Sequence, residues 1–224
     1  MTNKCRLCSQ EVCQKPFKAR YNKYILNYFE CSNCSYVQTQ KPIWLSEAYK
    51  DAVNASDTGI MARNTSNVNL VIATLSLLRK KKGKVVDCAG GHGILVRMLR
   101  DQGVNAFWSD PYAANLTARG FEHYNEKADL VTAFEAFEHF IYPCQEVDKF
   151  LSIAPNILLT TTLIPSPTPY PAQWWYYGLE HGQHIGFFRV KSLLYIAKKY
   201  GLHLLTDSNS IHLFTCLLYT SDAA

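Results

Sequence analysis

The segment from Val85 to Gly93, VVDCAGGHG, combines the residue types that most directly suggest binding chemistry in this 224-residue chain. A short apolar run ends in the carboxylate of Asp87 and is followed by Gly90, Gly91 and Gly93, which lead into the helical apolar pattern ILVRMLR. Because glycine carries no side chain, such a strand–turn–helix unit allows the backbone to approach a ligand closely. The segment therefore predicts a site for a nucleotide-like cofactor.

Two kinds of cofactor use such a turn, and the flanking residues favour one of them. A dinucleotide-binding turn keeps a third small residue for helix–strand packing, but that position holds Val96. The carboxylate of Asp87 would also repel a pyrophosphate, whereas it would attract the ammonium and sulfonium groups of S-adenosylmethionine (SAM). A second predicted strand ends at Asp110, about 20 residues beyond the turn, where an acid can accept hydrogen bonds from ribose hydroxyls. These residues favour SAM over a dinucleotide.

The segment from Val85 to Asp110 resembles motif I and the acidic end of the second strand in class I SAM-dependent methyltransferases. The family pattern is D-x-G-x-G-x-G, and in this chain Ala89 replaces its first glycine. The resemblance implies a Rossmann-like α/β domain that transfers a methyl group from SAM. The cofactor-binding residues that it implies are Asp87, Ala89, Gly90, Gly91, Gly93, Asp110 and Glu135.

Two C-x-x-C pairs lie in the first 40 residues, Cys5 with Cys8 and Cys31 with Cys34. Four thiolates in this arrangement match a tetrahedral zinc site, and a short module without its own core needs such a link. The run from Tyr24 to Phe29 predicts a strand that leads into the second pair, as in a zinc ribbon. Because a closed four-cysteine site has no open coordination position, we expect a structural zinc. Two redox-active thiol pairs are the alternative.

Strands and helices alternate after the cysteine module, which predicts a parallel sheet with right-handed crossovers. We expect an α/β fold with a Rossmann-like sheet of seven mostly parallel strands and an antiparallel closing hairpin. The predicted strands are 85–88, 105–109, 121–124, 129–134, 156–161, 202–205 and 211–218. The predicted domains are a zinc-binding module (1–45) and a methyltransferase domain (46–218), followed by an unstructured or artefactual tail (219–224).

Two clusters follow strands whose carboxyl ends face the expected cofactor site. Residues 135–139, EAFEH, resemble the E-x-x-E-H segment often found after the fourth strand in this methyltransferase class. The stretch from Trp174 to His184 follows a proline-rich loop and resembles a signature of bacterial members. Methyl transfer to an O–H, N–H or activated C–H acceptor needs a proton acceptor, for which histidine is the usual choice. His184 and His139 are therefore candidate bases, with Glu138 as a partner or alternative, although either histidine could instead only bond to the backbone.

The composition is that of an ordinary globular protein, with 48% hydrophobic residues, 18% charged residues and a formal net charge of +5. This charge permits an anionic acceptor but is too small and too scattered to indicate nucleic acid by itself. No apolar run approaches the roughly 18 residues that would cross a bilayer. The eight cysteines of an intracellular chain indicate metal or redox chemistry more than disulfides. We therefore expect a cytoplasmic protein.

The sequence favours methyl transfer from SAM to a small-molecule acceptor. The second cysteine pair and the linker from Trp44 to Tyr49 resemble certain methyltransferases that modify nucleotide-linked deoxysugars, which implies a nucleotide-linked sugar or another glycan precursor. Two alternatives stay open: an RNA methyltransferase with a zinc module, and an interaction protein that binds SAM without catalysis. Steep salt dependence of binding would favour RNA, whereas bound SAM without turnover would favour the interaction protein.

Overall fold

The computed structural model describes residues 4–12, 17–49 and 58–217. The tail predicted at 219–224 lies outside the described residues. Two sheets organise the described part of the chain, one beside the N-terminal cysteine pairs and one in the α/β region. The α/β class predicted from alternating strands and helices is confirmed.

A small antiparallel sheet accompanies the cysteine pairs. Its strands β1 (Phe17–Tyr21), β2 (Tyr24–Glu30) and β3 (Val37–Thr39) pair in that order, and β2 contains the strand predicted before the second cysteine pair. The fourth strand, Gly186–Phe187, comes from far along the chain and pairs antiparallel with β3. The small sheet is therefore completed by the segment that directly follows His184.

The large sheet contains six strands. In chain order they are β4 (Lys84–Cys88), β5 (Asn105–Ser109), β6 (Leu130–Phe134), β7 (Ile157–Thr160), β9 (His203–Thr206) and β10 (Ile211–Thr215), with Gly186–Phe187 counted as β8. Their spatial order is β5-β4-β6-β7-β10-β9. The first four are parallel, and β10 runs antiparallel to both β7 and β9. This is the predicted parallel sheet with its closing hairpin.

The prediction of seven strands is wrong by one. Residues 121–124 lie beside β5 but contribute a single parallel bridge, between Trp108 and Glu122. Two backbone hydrogen bonds of 2.8 Å, from Trp108 N to Phe121 O and from His123 N to Trp108 O, hold the segment at the sheet edge. Phe121 packs against the core whereas Tyr124 is 73% exposed, so the segment has too little buried apolar surface to extend the pairing.

Helices cover both faces of the large sheet. The helices α2 (Ile60–Leu77) and α3 (Ile94–Asp101) pack on one face, and α4 (Pro143–Ile153) and α5 (Val190–Tyr200) pack on the other. The consecutive strand residues Val85 and Val86 enter these two separate cores because successive side chains of a strand point to opposite faces. Within the described ranges, no helix is both long enough and apolar enough to cross a membrane.

The cysteine module shares a core with the α/β region. The rings of Tyr36 and Phe137 lie 4.8 Å and 4.7 Å from the ring of Phe188, which joins the two parts of the chain. The four-residue helix α1 (Leu45–Ala48) packs in a second core, beside the small sheet, where Trp44 is buried with Ile185. The domain division at residues 45 and 46 stays a prediction, since this packing runs continuously across it.

Candidate functional site

The glycine-rich turn joins β4 to α3 at the carboxyl end of the large sheet. Gly93 has a φ of +86°, and a Cβ there would lie 2.7 Å from Asn115 Oδ1 and 3.0 Å from Ala118 Cβ. Ala89, at the position of the family's first glycine, also adopts a left-handed φ of +61°. That conformation costs a residue with a side chain roughly 1 to 2 kcal/mol. The turn therefore keeps a glycine-like backbone even where the sequence departs from the pattern.

Asp110 lies directly beside this turn. Its Oδ2 accepts a hydrogen bond from Gly91 N at 2.9 Å, and its Oδ1 accepts from Tyr112 N and Ala113 N at 2.7 Å and 3.0 Å. Trp108 Nε1 donates to Gly91 O at 2.9 Å. Gly91 is therefore hydrogen-bonded both to β5 and to the residue that follows this strand. Because a carboxylate oxygen can accept two hydrogen bonds, Oδ2 retains an acceptor position for a ligand hydroxyl.

Asp87 is buried beneath the turn. It is 3% exposed, its Oδ1 accepts a hydrogen bond from Thr132 Oγ1 at 2.7 Å, and its Oδ2 would lie 2.8 Å from a Cβ at Gly90. Burial raises the pKa of Asp87 to about 7. A cationic ligand group nearby would favour the ionised form of this carboxyl. Glu135 directly follows β6 and its side chain is exposed at the surface, although desolvation by the neighbouring protein raises its pKa.

The three candidate catalytic residues come together in the structure. Glu138 and His139 lie on a 3₁₀ turn, Phe137–His139, that follows β6, and His184 arrives from the segment before β8. His139 Nε2 and His184 Nε2 lie 3.7 Å and 3.9 Å from the same oxygen, Glu138 Oε1. The two imidazole rings pack edge to face with their centroids 4.9 Å apart. The cluster and the glycine turn therefore follow neighbouring parallel strands at one edge of the sheet.

Hydrogen bonding fixes the tautomer of His184. Its Nδ1 lies 2.5 Å from Tyr176 O, and because a carbonyl only accepts, Nδ1 carries the proton. Burial lowers the pKa of His184, and burial also lowers the pKa of His139. The neutral ring of His184 therefore turns a free lone pair on Nε2 toward Glu138. This nitrogen can accept a proton or bind a cation.

Two tyrosines contribute to the site in ways that the sequence analysis did not identify. Tyr176 Oη donates to Glu138 Oε1 at 2.7 Å, and Tyr49 Oη lies 2.6 Å from His139 Nδ1. Tyr49 is 40% exposed, and desolvation by the surrounding protein, followed by the charge of Glu138, raises its pKa. A buried carboxylate needs donors, so a tyrosine in the same signature was a usable signal. No comparable signal pointed to Tyr49.

The sequence also offers the aromatic faces of Trp174, Trp175 and Tyr176 as a lining for a sugar or for the sulfonium, and the structure separates these three residues by burial. Tyr176 and Tyr177 are each 1% exposed and belong to the core of the small sheet, whereas Trp175 is 76% exposed. Trp174 packs against the rings of Tyr176 and Tyr177, with centroids 5.3 Å and 5.1 Å away. Of these residues, only Tyr176 reaches the candidate catalytic cluster through its hydroxyl.

The four cysteines predicted to bind zinc form one buried cluster. Cys5 Sγ lies 3.6 Å from Cys34 Sγ, Cys8 Sγ lies 3.4 Å from Cys31 Sγ, and all four sulfurs lie within 4.8 Å of one another. Sulfurs placed tetrahedrally at about 2.3 Å from zinc would be separated by roughly 3.8 Å. Both the donor type and the spacing fit a structural zinc ion.

Arg6 connects this cysteine cluster with the candidate catalytic cluster. It lies between Cys5 and Cys8 in sequence, and its Nη2 donates to Ile185 O at 2.7 Å. Ile185 follows His184, and Ile185 N donates to Glu138 O at 2.9 Å. The orientation of the candidate catalytic cluster therefore depends on the fold of the cysteine module.

Comparisons with known proteins agree with this geometry. A family model described as "Methyltransferase domain" matches residues 62–207, which is more than half of the chain. A search of curated proteins gives no match. The magnesium protoporphyrin IX methyltransferase of Synechocystis PCC 6803, with bound S-adenosylhomocysteine (SAH), is 17% identical, with 76% of this chain and 90% of that chain covered and a TM-score of 0.51. The structure of TnmH is 15% identical, with 79% of this chain and 62% of that chain covered and a TM-score of 0.51. These two likenesses show the fold.

We expect Gly93→Ala to destabilise the protein more than Gly120→Ala. The two glycines have nearly equal φ values, +86° and +85°, but a Cβ at Gly120 would meet no atom within 4 Å. Both variants therefore carry the backbone penalty, and only Gly93→Ala adds overpacking, which typically costs about 1 to 3 kcal/mol. Urea denaturation gives the two free energies of unfolding. Equal losses would contradict the close packing inferred for the turn.

We expect the stability gap between Asp87→Asn and the wild type to change with pH. Between the usual pKa of 3.8 and about 7, the folded protein keeps a proton on Asp87 that the unfolded chain has lost. In this interval Asp87 lowers the wild-type free energy of unfolding by about 1.4 kcal/mol per pH unit as pH rises. The variant lacks this loss, so its stability relative to the wild type should increase from pH 4 to pH 7. Denaturation midpoints measured across that range test the slope, and a constant gap would contradict the raised pKa.

Proposed function

This chain belongs to the methyltransferase-domain family, which confirms the predicted class I SAM-dependent methyltransferase, and on that premise we propose that it methylates a small-molecule acceptor. One observation carries most of the support. The turn that holds Asp110 and the cluster of Glu138, His139 and His184 lie at the carboxyl edge of adjacent parallel strands. Ligands of open α/β sheets bind at this edge.

The cofactor would lie along the glycine turn. We assign the ribose hydroxyls to the free acceptor position of Asp110 Oδ2, which Gly91 N already holds in place. Asp87 supplies a carboxyl beneath the turn that ionises more readily beside the ammonium group of SAM. Ala89, Gly90 and Gly93 form the surface on which the cofactor would pack, and Glu135 would lie at its far side. The related Synechocystis methyltransferase, whose structure contains SAH, supports this choice of cofactor.

His184 is the preferred proton acceptor in this proposal. SAM supplies an electrophilic methyl group, which transfers with the electron pair of the broken bond remaining on sulfur. The acceptor atom forms the new bond to carbon, and its proton passes to His184 Nε2, the nitrogen left free by the Nδ1 hydrogen bond. Glu138 Oε1, at 3.9 Å, would stabilise the imidazolium that forms. His139 is the second candidate, since its Nε2 faces the same oxygen.

Burial of the cluster favours a small acceptor. The side chains of His184 and His139 are 12% and 20% exposed, so the reacting atom must enter a nearly closed site. A nucleotide-linked sugar or another glycan precursor is the acceptor we propose, from the resemblance of the cysteine module and linker to sugar methyltransferases. An RNA acceptor is the alternative. We place the reaction in the cytoplasm, where cysteines stay reduced and able to bind metal.

We also propose that Cys5, Cys8, Cys31 and Cys34 hold one structural zinc ion. The four sulfurs form a closed set, so no position is left for a substrate. The ion would fix the segment that carries Arg6, whose guanidinium holds Ile185 O. Zinc would therefore stabilise the segment that supports the acceptor site, and it would take no part in the reaction.

We expect Asp110→Ala to weaken SAM binding by about tenfold or more, because hydrogen bonds to a charged group contribute roughly 1.5 to 3 kcal/mol each. Isothermal titration calorimetry with SAM measures the effect. Asp101→Ala is the matched control, since Asp101 pairs with Arg97 on the exposed side of α3. Unchanged SAM affinity in Asp110→Ala would contradict the proposed cofactor position.

The acceptor is tested by measuring SAH formation from SAM with a panel of nucleotide sugars and RNA. We expect turnover with a nucleotide sugar, and we expect the affinity for this acceptor to depend only weakly on salt concentration. Turnover with RNA alone, with affinity falling steeply as salt rises, would favour the alternative acceptor. Bound SAM without any turnover would favour the non-catalytic alternative.

We expect the purified protein to contain one zinc ion per chain and Cys5→Ser to lose it, with a lower thermal midpoint. Elemental analysis and thermal unfolding measure both quantities. Cys144→Ser is the control, because the Cys144 thiol lies against Leu7 O beside the cysteine cluster without belonging to it. A wild-type protein free of zinc, or equal zinc in both variants, would refute the assignment.

A further inference from the structure

The acceptor site contains a set of metal-ligand atoms distinct from the four cysteines. Glu138, His139 and His184 each present one such atom, and the three atoms lie within 4.8 Å of one another. Two imidazole nitrogens and one carboxylate oxygen on one side of an ion leave its other positions open. An open set of this kind can bind a further ligand, unlike the closed cysteine site.

Each of the three side chains is oriented by another hydrogen bond. His184 Nδ1 donates to Tyr176 O at 2.5 Å, and His139 Nδ1 lies 2.6 Å from Tyr49 Oη. Glu138 Oε1 accepts from Tyr176 Oη at 2.7 Å. Histidines that bind metals usually use their second nitrogen in this way, and ligating carboxylates are hydrogen-bonded in turn. Both Nε2 atoms therefore face the carboxylate with their second nitrogen occupied.

Glu138 has a buried polar atom without a partner in the described part of the chain. The residue is fully buried, and its Oε2 has no hydrogen-bond partner among the described residues. A buried carboxylate oxygen without a donor is costly, so its presence calls for a compensating group. A cation bound by the Glu138 carboxylate and the two imidazole nitrogens would compensate the charge of this carboxylate.

The distances require only a small contraction. Ligand atoms about 2.1 Å from an ion would be separated by roughly 3.0 to 3.4 Å in octahedral or tetrahedral geometry. The observed separations from Glu138 Oε1 are 3.7 Å to His139 Nε2 and 3.9 Å to His184 Nε2. Shifts of less than about 1 Å would bring each imidazole nitrogen to that distance from Glu138 Oε1.

We propose that Glu138, His139 and His184 bind one divalent transition-metal ion, such as Mn²⁺ or Fe²⁺, at the acceptor position. Mixed nitrogen and oxygen donors suit these ions better than Mg²⁺ or Ca²⁺, which prefer oxygen ligands alone. The open positions would bind the oxygen of an acceptor hydroxyl. The inference deepens the proposed function and rests on it, because the ion lies where the reacting atom must lie.

The ion would change how the acceptor loses its proton. A hydroxyl bound to a divalent ion has a lowered pKa and releases its proton to water. The resulting oxygen anion would form the bond to the methyl carbon, and the electron pair of the broken bond would stay on the sulfur of SAM. In the ion-bound site the two histidines would act as ligands, while their role as bases would belong to the ion-free site.

Electron paramagnetic resonance with Mn²⁺ tests the proposal, because bound Mn²⁺ loses the sharp signal of the free ion. The intact protein is used with its cysteine site undisturbed, since thiolate sites prefer softer ions. We expect one Mn²⁺ per chain, and at least tenfold weaker binding in His184→Ala and His139→Ala. His181→Ala is the matched control, since His181 packs on the His184 ring while its Nδ1 accepts from Gln183 N at 3.1 Å. Thermal unfolding verifies that each variant folds.

The outcomes separate this inference from the proposed function. No binding at millimolar Mn²⁺, or equal loss in the His181→Ala control, would overturn the metal site. SAM binding and SAH formation by the metal-free protein would then leave the proposed function intact. Mn²⁺ binding that depends on His139 and His184, in a protein that neither binds SAM nor turns it over, would support the metal site and overturn the proposed function.

Discussion

The backbone of Ile185 joins the parts of this protein on which the site depends. Its N–H donates to Glu138 O, and its carbonyl accepts from Arg6 Nη2 and from Thr39 N, at 2.9, 2.7 and 3.0 Å. One residue thus links the turn after β6, the cysteine module and the small sheet. Because Ile185 is fully buried, these bonds have no competing water. The position of the neighbouring His184 follows from them.

Burial of charge is the second constraint on the site. Glu138 is fully buried beside two neutral histidines, and burial raises the pKa of Glu138 to about 7. A carboxyl with its pKa near neutrality can change its protonation state when a ligand or cation arrives. The tyrosine that donates to it, Tyr176, is itself buried, which holds the carboxyl in one orientation. The fold therefore maintains a cluster of ionisable side chains that is poorly solvated.

Local sequence determined much of this protein. Strands alternating with helices specified the parallel sheet, because apolar runs of this length must be buried on both faces. The glycine turn with Asp110 and the four cysteines were recognisable from spacing along the chain, and the E-x-x-E-H segment from its resemblance to a methyltransferase segment. The edge segment 121–124 was overestimated because one partly buried residue, Phe121, does not make a strand. Which of these residues bind a cofactor or take part in catalysis stays a prediction.

Only the tertiary structure decided which distant segments meet. Spacing along the chain cannot show that Tyr49 contacts His139, 90 residues away, or that Arg6 holds Ile185 across 179 residues. Nor does it show that strand β8 completes the sheet of the cysteine module. These contacts form because buried backbone groups and carboxylates must find partners once the cores have packed. Sequence determined the elements and the chemical types, whereas packing brought Glu138, His139 and His184 to one point.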